Sequence, residues 1–285
     1  MKRICSVLLA LLLLAGCGAQ ASPPTTVTTV PPTTAPAPTA AELTVDASAE
    51  NDTLSLTLAA VDAQGQMGYT ATFYVKNKTD RTLTVKLKSL AVNDCVSHKQ
   101  WQAELPALGT VECRLAIVDD SYKLGGTEQP EKLDVVLAAW EGEDEVSKLW
   151  TVFYPGGAAW EAKAYTPDLV LVENEDLTIG VVGYDPADPL GYGVTLYLEN
   201  KTRDDLLFDL GEAKVDNSPC QPLFAGTVPA GKRSFAVVSW YLADLQKLGI
   251  EAPAKLELPF AVYDIDNYLA EPLLEETFEL TPVWE

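Results

Sequence analysis

The chain has 285 residues, 47% of them hydrophobic, which is enough to bury a sizeable core and to form one to three domains. It carries 41 acidic against 20 basic residues, a formal charge of −21. That excess repels phosphate backbones and anionic lipid head groups, so nucleic-acid binding and electrostatic membrane adhesion are disfavoured.

The first element is a leader. Lys2 and Arg3 precede an apolar run from Ile4 to Ala15. Roughly twelve residues is signal-peptide length and too short to cross ~30 Å of hydrocarbon comfortably as a helix. The run ends in Leu14-Ala15-Gly16-Cys17, which resembles the lipobox of bacterial lipoproteins at each of its four positions. The resemblance implies cleavage before Cys17 and acylation of its thiol. The expected location is therefore the outer, extracytoplasmic face of the cell membrane, with the membrane engaged through this N-terminal lipid; two or three acyl chains anchor stably where one does not. Cys5 falls inside the discarded leader.

Residues 22–41 read SPPTTVTTVPPTTAPAPTAA, with no charge before Glu42. Proline favours polyproline II, so this is a semi-extended tether, reaching on the order of 60 Å at ~3.1 Å per residue.

The remainder holds an internal repeat. Gly68-Tyr69-Thr70-Ala71-Thr72-Phe73-Tyr74-Val75-Lys76-Asn77-Lys78-Thr79 matches Gly191-Tyr192-Gly193-Val194-Thr195-Leu196-Tyr197-Leu198-Glu199-Asn200-Lys201-Thr202 at an offset of 123. The same offset carries Val92-Asn93 onto Val215-Asp216, Leu105-Pro106-Ala107 onto Val228-Pro229-Ala230 and Lys132-Leu133 onto Lys255-Leu256. Fixed spacing of this kind is the signature of tandem duplication. Strands are expected over 54–61, 70–77, 83–92, 111–118, 133–140 and 148–154. In the second copy they are expected over 169–172, 177–183, 193–200, 206–215, 234–240, 256–263 and 275–281. One short helix is expected in each copy, over 119–124 and 241–248, each running into glycine. The predicted fold is all-β: two tandem immunoglobulin-like β-sandwich domains, 42–163 and 164–285, after a signal peptide (1–16) and a lipidated, disordered Pro/Thr-rich tether (17–41).

Both copies resemble the immunoglobulin-like repeats of uncharacterised surface lipoproteins of Gram-positive, gut-type bacteria. The resemblance rests on the Asn-Lys-Thr turns, Val-Pro-Ala-Gly-Lys at 228–232, Leu248-Gly249-Ile250, and Phe-Ala-Val-Tyr-Asp-Ile-Asp-Asn at 260–267. It implies fold and location and adds no reaction. The first copy departs from it at Leu108-Gly109-Thr110 and at Trp140-Glu141-Gly142-Glu143-Asp144.

No catalytic, cofactor-binding or metal motif is found. The single histidine, His98, reads as an exposed loop residue beside Ser97. Cys95 and Cys113 lie eighteen positions apart and either bridge or remain thiols, and Cys220 has no evident partner. Asp264 and Asp266 begin like a calcium loop but lack its glycine and distal glutamate, so they read as a turn. Trp140, Trp150 and Trp240 lie in expected strands and read as core; Trp101, Trp160 and Trp284 read as loop or edge. Two small sandwiches offer no evident cleft. The leading expectation is a non-enzymatic interaction or envelope-structural module with an unknown protein or glycan partner. The rival is a ligand-binding module for glycan or peptide.

Overall fold

A computed structural model describes residues 43–117, 121–157, 160–224 and 226–283. In the first repeat the strands are β1 (Leu43–Glu50), β2 (Leu54–Asp62), β3 (Tyr69–Asn77), β4 (Leu83–Val92), β5 (Cys95–Ser97), β6 (Gln102–Leu105) and β7 (Thr110–Ile117), then α1 (Ser121–Leu124), β8 (Leu133–Glu141) and β9 (Asp144–Phe153). In the second they are β10 (Leu169–Glu173), β11 (Leu177–Asp188), β12 (Gly191–Asn200), β13 (Leu206–Leu210), β14 (Lys214–Val215), β15 (Ser218–Pro219), β16 (Gly226–Val228) and β17 (Arg233–Tyr241), followed by α2 (Leu242–Lys247), β18 (Leu256–Asp264) and β19 (Leu274–Leu280).

Period-two alternation decides what meets what. In β2, Leu54, Leu56 and Leu58 point inward while Ser55 and Thr57 stay half wet. The layer β1-β2-β3-β7 packs on β4, β8 and β9, with β5 and β6 alongside β4. Phe73, Val75 and Leu115 from one layer meet Val85, Leu90, Leu137 and Phe153 from the other in a single core. The second repeat repeats this. The layer β10-β11-β12-β17 faces β15-β14-β18-β13-β16, with β19 paired to β18, over a core that includes Ile179, Leu196, Val238, Phe208, Leu258 and Phe260. The chain is thus predominantly β, in sandwich-like pairs of layers. Both helices fall where expected. The expected strand 206–215 instead breaks into β13 and β14 around Gly211, whose N–H donates to Pro259 O (2.9 Å).

The residues that revealed the repeat are its joints. Asn77 is fully buried and donates from Nδ2 to the carbonyls of Arg81, Leu105 and Pro106; its Oδ1 accepts from Thr79 N and Oγ1. Asn200 does the same with Asp204 O, Val228 O and Thr202. Lys78 and Lys201 reach back to Asn51 O and Asn174 O. Asn93 and Asp216 adopt φ 51° and 50°, and their Oδ1 atoms accept the N–H groups of Glu131 and Lys132, and of Ala254 and Lys255. Buried backbone groups demand such partners, and short amide or carboxylate side chains tolerate the left-handed region.

The repeats are joined through their sheets. β17 runs parallel beside β5 at the Arg233–Cys95 pair, making one nine-stranded sheet, β10-β11-β12-β17-β5-β4-β8-β9 with β6 on β4. Arg233 N donates to Asp94 O and Arg233 Nη1 to Lys163 O (2.9 Å each). Gly125 leaves room for this guanidinium: a Cβ there would lie 2.8 Å from Nη2. Tyr165 packs tilted against Tyr197 and edge-on against Phe235, with ring centroids 4.9 and 5.0 Å away, and sets second-repeat side chains on the first-repeat core.

Cys95, Cys113 and Cys220 are all buried, unbridged thiols. Cys95 and Cys113 share the first core, on β5 and β7 of facing layers, with no bond between them. The leader, Cys17, the tether and Trp284 lie outside the described residues.

A candidate binding groove between the repeats

The outer face of β4-β8-β9 follows from the same alternation. Leu133, Val135, Leu137 and Leu149 take the core, so Asp134, Val136, Ala138, Lys148 and Trp150 take the other side. Register sets Lys86, Ala138 and Lys148 side by side in one row and Val136 beside Trp150 in the next. Trp150 is 64% exposed, which corrects its reading as core; its neighbour Leu149 holds the inward position. Trp140 is only half-buried beneath Lys86, whose Nζ sits 4.6 Å from the ring centroid. Trp240 alone of the three is fully buried as expected.

This face floors an open groove of ≈ 1220 Å³. The second repeat closes the far side with Asp205, Thr227, Pro229, Ala230, Lys232, Ile265 and Asp266, and the segment Val96–Gln102, including the exposed His98 and half-buried Trp101, forms the rim. A cleft therefore exists where none was expected, because it belongs to neither sandwich. It is made by their junction.

The groove's charge is opposite to that of the chain. Five of the 20 basic residues line it (Lys86, Lys88, Lys99, Lys148, Lys232) but only three of the 41 acids (Asp134, Asp205, Asp266). Lys88 pairs with Glu145 at 3.3 Å. Lys232 Nζ is committed to Asp94 Oδ1 (2.7 Å) and Asp134 Oδ2 (2.9 Å), where Lys132 joins them at 2.7 and 3.4 Å. Burial pushes the Asp94 carboxyl up, but the hydrogen bonds from Lys132 and Lys232 outweigh it and hold it below its ordinary value. Burial lowers Lys132, and its two aspartates more than reverse that. Among the described residues, no carboxylate lies within ion-pair distance of Lys86, Lys99 or Lys148.

Two buried polar atoms of groove-lining residues lack hydrogen-bond partners: Asp134 Oδ1 and Ser97 Oγ. An unsatisfied buried group costs roughly 1–3 kcal/mol. By contrast, the Asp264–Asp266 motif is accounted for locally. Asp264 Oδ1 accepts Asp266 N (3.0 Å) and caps a single 3-10 turn, Ile265–Asn267. Among the described residues no group of three His, Cys, Asp or Glu side chains is placed to hold a metal.

No motif announced this site. The signals available were the parity of Trp150 against Leu149 and the Lys-rich outward positions of β4 and β9.

No protein-family model and no curated protein matches this chain. Among solved structures it is similar to a protein of unknown function from Porphyromonas gingivalis W83, at 10% identity over 75% of this chain and 90% of that one, with a TM-score of 0.24, too low a likeness to carry an argument.

Proposed function

We propose that this chain is a lipid-anchored, extracytoplasmic, non-enzymatic protein whose two tandem immunoglobulin-like sandwiches form a ligand-binding surface module. Two facing layers per repeat, built from about seven main strands, support the immunoglobulin-like assignment. The observation that carries the binding reading is the groove: lysines and an exposed tryptophan collect at one concave junction of a chain that is otherwise strongly acidic. Concavity with a few converging polar groups is what ligand sites share, and exposed Trp side chains dominate binding energy where they occur. A purely envelope-structural role requires neither. Attachment is assigned to Cys17 on the strength of the Leu14-Ala15-Gly16-Cys17 sequence that closes the apolar leader.

Two measurements test this. Cys17→Ala should abolish acyl labelling and release the protein from membranes; unlabelled protein that stays membrane-bound overturns the anchor. The full-length protein in non-ionic detergent should bind members of a mixed glycan and peptide array, and Trp150→Ala should lose those signals. An array with no binder, or binders indifferent to Trp150→Ala, overturns the groove.

A further inference from the structure

We infer that the groove takes an anionic polysaccharide, a glycan bearing carboxylate or sulfate groups; this rests on reading the groove as a ligand site. The duplication supplies an internal control. The row Lys86–Ala138–Lys148 in the first repeat corresponds, at the same register, to Asp209–Ala261–Glu275 in the second. Trp150, opposite Val136, corresponds to Thr277, opposite Pro259. The two copies share the buried Asn77/Asn200 pair and this alanine, but on this face the first carries two lysines and a tryptophan where the second carries two acids and a threonine. A solvated face on an acidic chain looks like Asp–Ala–Glu. The lysine version stands out against both its own duplicate and the composition of the chain.

The chemistry selects the ligand class. Lys86 and Lys148 sit two strands apart, roughly 10 Å between backbones. That spacing suits charges recurring along a chain of sugar rings. The exposed Trp150 ring offers an apolar plane with a polar edge, the surface a pyranose face stacks on. Asp134 Oδ1 is an acceptor without a donor; sugar hydroxyls supply donors, and phosphate chains do not. Nucleic acid is disfavoured because the rest of the protein repels a dense line of phosphates. A neutral glycan accounts for the tryptophan and leaves unexplained the lysines that have no carboxylate partner.

The test uses the full-length protein in non-ionic detergent, titrated with polygalacturonate, dextran sulfate, unmodified dextran, polyphosphate and a single-stranded oligothymidylate, and followed by calorimetry and tryptophan emission. One or both anionic glycans should bind at least about tenfold tighter than dextran, with affinity falling as salt rises. Polygalacturonate and dextran sulfate distinguish carboxylate from sulfate as the charge read. Installing the second repeat's residues should separate the contributions. Trp150→Thr should weaken binding about tenfold, and Lys86→Asp with Lys148→Glu should abolish it, with unchanged melting curves in each case. Equal binding of dextran overturns the anionic assignment while leaving the groove reading standing, provided Trp150→Thr still weakens it. Polyphosphate or oligothymidylate binding as tightly through the same lysines overturns the glycan assignment. Indifference of every ligand to both sets of substitutions overturns the groove reading as well.

Discussion

The two repeats share their joints and differ in their faces. Asn77 and Asn200, Asn93 and Asp216, and Lys78 and Lys201 make matching hydrogen bonds in both copies. Elsewhere the copies answer to different neighbours. Lys232 reaches Asp94 and Asp134 across the junction, while the first copy has Gly109 at the matching position, which explains its departure from the Ala-Gly-Lys pattern. Tyr197 and Phe235 are buried at the junction, while their counterparts are the exposed Tyr74 and the half-buried to exposed Glu112 region of β7. The outer β4-β8-β9 face carries lysine and tryptophan where its duplicate carries aspartate, glutamate and threonine. Positions that satisfy the backbone carry the same or an equivalent side chain in both copies; the differences concentrate where a copy meets its neighbour or lines the groove.

The comparison breaks most severely at its shared joints. Asn77→Ala and Asn200→Ala each strand buried carbonyls, and each should cost roughly 2–4 kcal/mol in urea unfolding. Near-equal losses are expected from the two copies, and a loss under about 1 kcal/mol in either would show that its joint is not equivalent. Next comes the junction. Lys232→Met removes one of two lysines from Asp94 and Asp134, so a cost of about 2 kcal/mol is expected, below the 3–5 typical when a buried charge loses its only partner. Calorimetry is expected to resolve one unfolding transition for the native chain and two for the variant; a single transition in the variant argues that the Tyr165–Tyr197–Phe235 cluster alone couples the repeats.

The same junction sets a pH window. Asp94 has its pKa lowered on folding, so its contribution is present above its ordinary value near 3.8 and is lost as pH falls through the lower folded value. Lys132 has its pKa raised, so its contribution is complete below 10.5 and is lost as pH climbs through the higher folded value. Stability should therefore fall at both extremes, and Lys232→Met should narrow the acid side. A melting profile whose acid limb is unchanged by Lys232→Met removes Asp94 from the account.

Smaller effects sharpen the contrast of faces. Lys86→Asp, Lys148→Glu and Trp150→Thr should each change stability by no more than about 0.5 kcal/mol, since all three side chains are exposed. A larger loss means that the face holds the fold rather than a ligand. The smallest effect is on the thiols. Burial pushes the Cys113 thiol up to about 12 and also raises Cys220. Native protein should leave thiol reagents unreacted until denaturant is added; prompt labelling would contradict the buried placement.

Much of this architecture was legible locally. Strand alternation, the 123-residue offset and the glycines after each helix foretold a β-rich chain in two copies with one short helix apiece. They are local because a strand's period and a turn's backbone angles depend on a few consecutive residues. The short strands β5, β6, β15 and β16 were not foretold, since two to four residues carry too little pattern; β1 (Leu43–Glu50) was missed as well, although Leu43, Val45, Ala47 and Ala49 alternate with polar residues. Trp150 was misread from strand membership alone, although its parity against Leu149 pointed outward.

By itself, then, the sequence determined the all-β character, the duplication and the joints that hold each copy. Only the tertiary structure decided the groove, the lysine–aspartate knot and the outward tryptophan as one surface. Lys232 lies 138 residues from the Asp94 it binds, and the groove takes its wall from one repeat and its floor from the other. No local pattern encodes such a meeting, because it follows from how two finished sandwiches share a sheet.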